Sequence, residues 1–290
     1  METTLPLALH AHLPSRHHWR RVLTTTVDAT GRAHWLLGER SRTPEPYSAL
    51  LVTVADGSVH ETELHGLAAR SPVLDALPEG GFVIADKNFP VGWDARDASG
   101  RDVQAQIFTP RGRPTHRFSL GGELGCLHTD QNGAIWVGYS DDTAYAYTSA
   151  GAAGLARWDI GGARQWTHAA KPADPSREND RSYCDVLNVD QDSTWAFSAD
   201  LGLLGIHADA VTERHISAGI RALAVHDETL AHCDGTGRLT LCTLTRDRAE
   251  PVGAYGLTRP DGSPLGSDRA VGHGPNLYVH DGVAWYVLEL

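Results

Sequence analysis

One short pattern recurs six times along this chain, and a chain built from a repeated pair of strands has few folds open to it. The clearest copy runs from Gly125 to Tyr139 as Gly-Cys-Leu-His-Thr-Asp-Gln-Asn-Gly-Ala-Ile-Trp-Val-Gly-Tyr. It reads as an apolar strand, an Asp/Asn/Gly turn and a second strand carrying Trp136. Relatives begin near residues 22, 73, 185, 221 and 269. Repeats made only of strands predict a β-propeller, each repeat being one blade that buries its faces against its neighbours. The expected fold is all-β: a six-bladed β-propeller, forming a single domain over residues 1–290.

Turn residues divide the blades into strands. In the first blade, strands are expected over residues 22–28, 33–38, 50–55 and 59–65, with Gly57 in the tight last hairpin. The third blade continues through Leu155-Ala-Arg-Trp, a turn at Gly161-Gly162, and Arg164-Gln-Trp-Thr. The sixth blade stops one strand short, at residues 269–273, 277–281 and 283–290. Its missing outer strand is expected from residues 4–10, which would close the ring and remove two exposed edges. Pro6 suits an edge strand, where no amide donor is needed. The pairs Leu127/Thr129, Leu187/Val189 and Leu223/Val225, with Trp35, Trp136 and Trp195, are expected to pack blade on blade.

Composition limits the partners. A content of 41 % hydrophobic residues is enough for an ordinary globular core. A net charge of −11 disfavours nucleic acid and anionic membranes, which both select basic surfaces. No stretch reaches the roughly 18 apolar residues of a membrane span, and the first residues do not read as a secretory signal. Four cysteines make no disulfide scaffold at this length, so a cytoplasmic setting is expected.

Loop lengths divide between the two faces of the expected propeller. Connections from first to second and from third to fourth strand are tight, as at Gln131-Asn132-Gly133. The long segments, residues 39–48, 86–101, 139–154, 168–183 and 257–267, all fall on the opposite face. Long loops gathered on one face usually carry function, so a site is expected at that mouth of the central channel.

At the starts of the first strands, one aligned column reads Leu23, Val73, Gly125, Asp185, Arg221, Arg269. The three charges would converge beside the mouth. They could clamp a carboxylate or phosphate through the guanidinium groups, or pair with one another to stitch blades together. His128 is the best single acid–base candidate, and Asp185 is the second catalytic residue expected. Tyr139, Asp141, Arg181 and Tyr183, with Asp142, Tyr145 and Tyr147, would form a polar and aromatic lip that binds substrate. Each second strand ends in an acid (Glu39, Asp86, Asp141 with Asp142, Asp200, Asp234, Asp281), which reads as turn chemistry ahead of a cation ring. Sixteen histidines show no known zinc spacing, and no metal or cofactor is assigned. The four cysteines read as small buried hydrophobes, with Cys126 close to Cys184 and Cys233 beside Cys242.

The stretch Asp130-Gln-Asn-Gly-Ala-Ile-Trp-Val-Gly resembles the propeller repeat in sensor regions of bacterial two-component regulators, without their kinase or membrane segments. The run from Trp136-Val-Gly-Tyr-Ser-Asp to Gly154-Leu-Ala-Arg-Trp, then Cys184-Asp-Val-Leu-Asn-Val and Arg221-Ala-Leu-Ala-Val, is similar to an uncharacterised family of stand-alone bacterial propellers. That resemblance implies the fold and brings no activity. The expectation is therefore a small polar or anionic metabolite bound at the long-loop face, with lyase, isomerase or hydrolase chemistry. The alternative is a non-catalytic scaffold or sensor that holds a protein partner through the same loops.

Overall fold

The computed structural model describes residues 3–39, 46–88, 103–140, 154–168, 183–198, 202–217, 219–266 and 269–290. These residues are all-β, with one short 3-10 turn at Ser15–His17 and no α-helix among them. They form antiparallel four-stranded units in chain order. The first comprises Arg21–Val27, Ala33–Gly38, Tyr47–Ala55 and Ser58–Leu67. The second comprises Pro72–Ala76, Phe82–Asp86, Ala105–Phe108 and Pro114–Phe118, and the third Leu124–Thr129, Ile135–Tyr139, Leu155–Trp158 and Arg164–Thr167. Val186–Val189, Thr194–Ser198, Gly202–His207 and Ala210–Arg214 make the fourth. The fifth holds Ala222–His226, Thr229–Cys233, Arg238–Leu244 and Ala249–Thr258; Arg269–His273, Asn276–Asp281 and Ala284–Glu289 begin the sixth.

Period-two side chains explain how these units pack. Successive residues of a strand point to opposite faces, so a first strand buried on both sides reads as a nearly unbroken apolar run. Leu223 and Val225 face the fourth unit, while Ala222 and Ala224 between them face the sixth. Six buried clusters follow this rule, each drawing on two units. Five join consecutive units. The remaining one joins the sixth to the first through Trp35, Val271, Tyr278 and Trp285. Leu127, Leu187 and Val189 pack between units as expected. Thr129 instead spends its hydroxyl on Asp75 and the Ala76 carbonyl.

The N-terminal segment departs from the single closing strand expected over residues 4–10. Thr4–Pro6 runs parallel to Ala249–Thr258 on the outer edge of the fifth unit. Ala8–His12 pairs antiparallel with Ala284–Glu289 and supplies the sixth unit's fourth strand. Leu7 is the step between them. Its amide donates to the Thr258 carbonyl at 2.9 Å and its side chain is buried between the fifth and sixth units. Burying that one leucine splits the segment between two sheets.

Cys233 and Cys242 are a second correction. The register pairs Cys233 with Leu239 and Cys242 with Leu230, at opposite ends of two strands. Their thiols also face different neighbours, Cys233 the sixth unit and Cys242 the fourth.

The first turn carries a buried charge. Asp28 is 1 % exposed; it accepts hydrogen bonds from the Thr30 and Arg32 amides, the Arg32 Nε at 2.7 Å and the His34 Nε2 at 2.9 Å. Burial by itself would raise this carboxyl, but the hydrogen bonds and charges of His34 and Arg32 outweigh it and hold it far below the usual range. A carboxylate depressed in the fold stabilises it above the unfolded value near 4, and that stability is lost as the pH falls. Thermal unfolding between pH 6 and 2 should therefore show a loss on the order of 2 kcal/mol from this group. The Asp28→Asn variant should start less stable and lack that acid limb. An unchanged limb would place the acid sensitivity elsewhere.

Candidate functional site

The first strands of successive units lie side by side, and a cavity of about 460 Å³ opens where they begin. Five residues of the aligned column line it: Val73, Gly125, Asp185, Arg221 and Arg269. The sixth, Leu23, does not. The pairing of the first unit slips between Val22 and Thr24, and Leu23 lies against Gly38 instead. Lys87, just past the end of Phe82–Asp86, joins the lining, and His128 contributes from further along its strand.

Backbone geometry places each charge. A bulge between Leu124 and Cys126 leaves Gly125 unpaired in the ladder. A Cβ there would meet the Asp185 carboxylate and the Cys184 carbonyl at 2.5 Å, so only glycine lets the third and fourth units approach this closely. Arg269 donates to the Thr24 hydroxyl at 3.0 Å, tying the sixth unit to the first at the mouth. Arg221 is exposed, with its aliphatic stem resting on Gly235. Asp185 and Arg221 also line an adjoining cavity of about 340 Å³, shared with Tyr183 and Asp234.

Deeper along the same strands lies a buried polar cluster. Asp75, His128 and His273 place one donor atom each within 4.8 Å of the others. Asp75 is fully buried; its oxygens accept from the Ala76 amide at 2.9 Å and the Thr129 amide at 2.6 Å. His273 points one ring nitrogen at the Val189 carbonyl and the other at the Val27 carbonyl, so it links the fourth unit to the first. Burial, then the charge of Asp28, pushes the Asp75 carboxyl well up. Burial, then His273 and Arg269, pushes the His128 imidazole well down. Burial thus favours the uncharged form of both groups.

Several expected site residues fall elsewhere. Tyr139 is no part of a lip. It is wholly buried between the second and third units, and its hydroxyl donates to the Leu120 carbonyl. Its strand is covered on both faces, which leaves an aromatic there no path to a cavity. The carboxylate facing His128 is Asp75, with His128 Nδ1 3.8 Å from its Oδ2. Asp141, Asp142, Tyr145, Tyr147 and Arg181 lie outside the described residues, as does Asp200. Of the acids ending second strands, Asp234 accepts from the Thr236 amide two residues on, as turn chemistry requires, whereas Asp86 accepts from the distant Arg70 and Ser71 amides ahead of its unit's first strand. All four cysteines are free thiols. Burial, then the Cys184 neighbour, pushes the Cys126 thiol well up, the reverse of what a nucleophile needs.

Lys87 and Asp75 were the residues that sequence reasoning missed. Both carried a signal. Lys87 is one of only two lysines, and Asp75 is an acid set between Leu74 and Ala76 in an inner strand.

No family model and no curated protein matches this chain. Solved structures similar to it include apo AztD from Citrobacter koseri, at 12 % identity and a TM-score of 0.42, covering 86 % of this chain and 63 % of that one. The computationally designed Ika8 protein is similar at 11 % identity and a TM-score of 0.45, covering 100 % and 98 %. A chain of the mitotic checkpoint complex follows at 8 % identity and a TM-score of 0.48, covering 100 % and 92 %. The functional reading therefore rests on the geometry of the site. No helix among the described residues is long and apolar enough to cross a membrane.

Proposed function

We propose that this chain is a single six-bladed propeller of the stand-alone bacterial kind, whose channel mouth binds a small anionic metabolite. Six inter-unit clusters and the closing strand Ala8–His12 support the ring. One observation carries the ligand class. In a chain of net charge −11, the described lining of the cavity brings together Lys87, Arg221 and Arg269 against one carboxylate, Asp185. Concentrating cations where the rest of the surface is acidic draws a carboxylate or phosphate to that point, and guanidinium groups bind either in a forked geometry. The imidazole of His128 at the cavity wall and the carboxylate of Asp185 at its mouth are the groups that lyase, isomerase or hydrolase chemistry at this site would draw on. The free thiols suit a cytoplasmic location. A protein partner at this face is the weaker reading, because among the described residues the large exposed apolar side chains (Leu9, Trp19, Val22, Val59, Ile160 and Val252) lie outside this cavity's lining.

A thermal-shift screen of small carboxylates and phosphates tests this reading. A ligand present at a hundred times its dissociation constant should add about 2.7 kcal/mol of stability. The Arg221→Ala/Arg269→Ala variant should lose that shift, while its unliganded stability falls by no more than about 1 kcal/mol. A shift that survives both substitutions, or a blank screen on folded protein, would overturn the proposal.

A further inference from the structure

We infer that Asp75, His128 and His273 form a binding site for one divalent transition-metal ion of zinc's kind, set beneath the cavity. The three donors come from the first strands of the second, third and sixth units, which share no local sequence motif. All three are buried, at 0 %, 7 % and 4 % exposure. Two imidazoles and a carboxylate are the donors of three-ligand zinc sites, and they suit zinc far better than calcium or magnesium, which take oxygen.

A plain hydrogen-bond network explains this cluster less well. The Nδ1 of His128 has no hydrogen-bond partner among the described residues. It stands 3.8 Å from the Asp75 Oδ2, too far for a hydrogen bond. A buried nitrogen without a partner is costly. Donors around a tetrahedral zinc at bond lengths near 2.0–2.1 Å sit about 3.3 Å apart, so these atoms, all within 4.8 Å of one another, would close by up to about 1.5 Å around an ion.

The surroundings have the form that orients metal ligands. Asp75 is fixed by the amides of Ala76 and Thr129. A neutral His273 has one N–H for two carbonyls, so one nitrogen turns a lone pair towards an oxygen. Keeping the shorter contact, Nε2 to the Val27 carbonyl at 2.9 Å, frees Nδ1 for the ion at the cost of no hydrogen bond. A ligating histidine that donates its other nitrogen to a backbone carbonyl is the usual arrangement. The rings of His128 and His273 stand in edge-to-face contact with their centroids 4.9 Å apart, so the two imidazoles are immediate neighbours. Three protein donors leave a fourth position, and His128 is shared between this cluster and the cavity wall.

The test uses the metal alone, so its outcome is independent of the anion proposal. Protein stripped with a chelator is titrated with Zn²⁺ in competition with a chromophoric chelator. One equivalent bound with a sub-micromolar dissociation constant is expected. His128→Gln and His273→Gln should each weaken it on the order of 100-fold, while a His60→Gln/His116→Gln control, both exposed, keeps the parental affinity. Absence of a stoichiometric site, or one that keeps its affinity in both buried variants, overturns the inference. Should the buried variants not fold, Co²⁺ added to the parental protein decides. The visible absorption of a four-coordinate nitrogen and oxygen site supports the inference, and a spectrum of six-coordinate Co²⁺ refutes it.

Discussion

Alanine in place of Trp285 is expected to lower the unfolding free energy by about 3–5 kcal/mol. Trp285 is wholly buried where the sixth unit meets the first, in the cluster with Trp35, Val271 and Tyr278. Its indole nitrogen donates to the Thr25 hydroxyl at 2.9 Å. The substitution removes one of that cluster's two buried tryptophans and the indole bond to the Thr25 hydroxyl, which keeps only its own bond to the His34 carbonyl. Neither unit can move in to fill the space, since each is also packed on its other side. Chemical denaturation followed by circular dichroism would measure the loss, and hydrogen exchange should locate the earliest opening at this seam. A loss below about 1 kcal/mol would mean that the first and last units are not held as a core joint.

Gly272→Ala is expected to be the next most severe, by a different mechanism. Gly272 lies in the first strand of the sixth unit, in a parallel bridge with Asn188 of the fourth. A Cβ there would run into the Leu223 carbonyl of the fifth unit and approach the Asn188 Nδ2 to 3.0 Å. That Nδ2 donates to the same carbonyl and to the Gly274 carbonyl, both at 2.9 Å, so three units meet at one amide side chain. Backbone held in a sheet cannot swing aside as a flexible side chain can, so the cost should reach or exceed the top of the range of about 1–3 kcal/mol usual for overpacking. Gly219→Ala is the control, because nothing stands within 4 Å of a Cβ there; it should change stability by under about 0.5 kcal/mol. Equal effects from the two substitutions would argue against the close approach of these strands.

Much of the architecture was legible because strands sort residues by parity. Ala33–Gly38 and Arg269–His273 fall where the turn residues place them, since the Asp/Asn/Gly clusters end strands by local hydrogen bonds. The column Val73, Gly125, Asp185, Arg221 and Arg269 lines one cavity because each stands at or beside the start of its unit's first strand, and those strands lie side by side. Leu23 escaped the rule through a bulge, which the apolar pattern does not encode. Tyr139 misled because an aromatic at the end of a second strand reads alike whether it faces a neighbour or a channel.

The sequence by itself determined the repeat, the strand pattern and the charges gathered at one end of the inner strands, all of which depend on residues near one another in the chain. Only the tertiary structure decided what meets across the centre. Asp75, His128 and His273 are far apart in sequence and carry no shared spacing, yet their donor atoms lie within 4.8 Å. The N-terminal segment likewise divides at Leu7 because two sheets, completed by residues near the other end of the chain, compete for it. Contacts of this kind are set by how whole units pack, and packing across a centre leaves no period in the chain to be read.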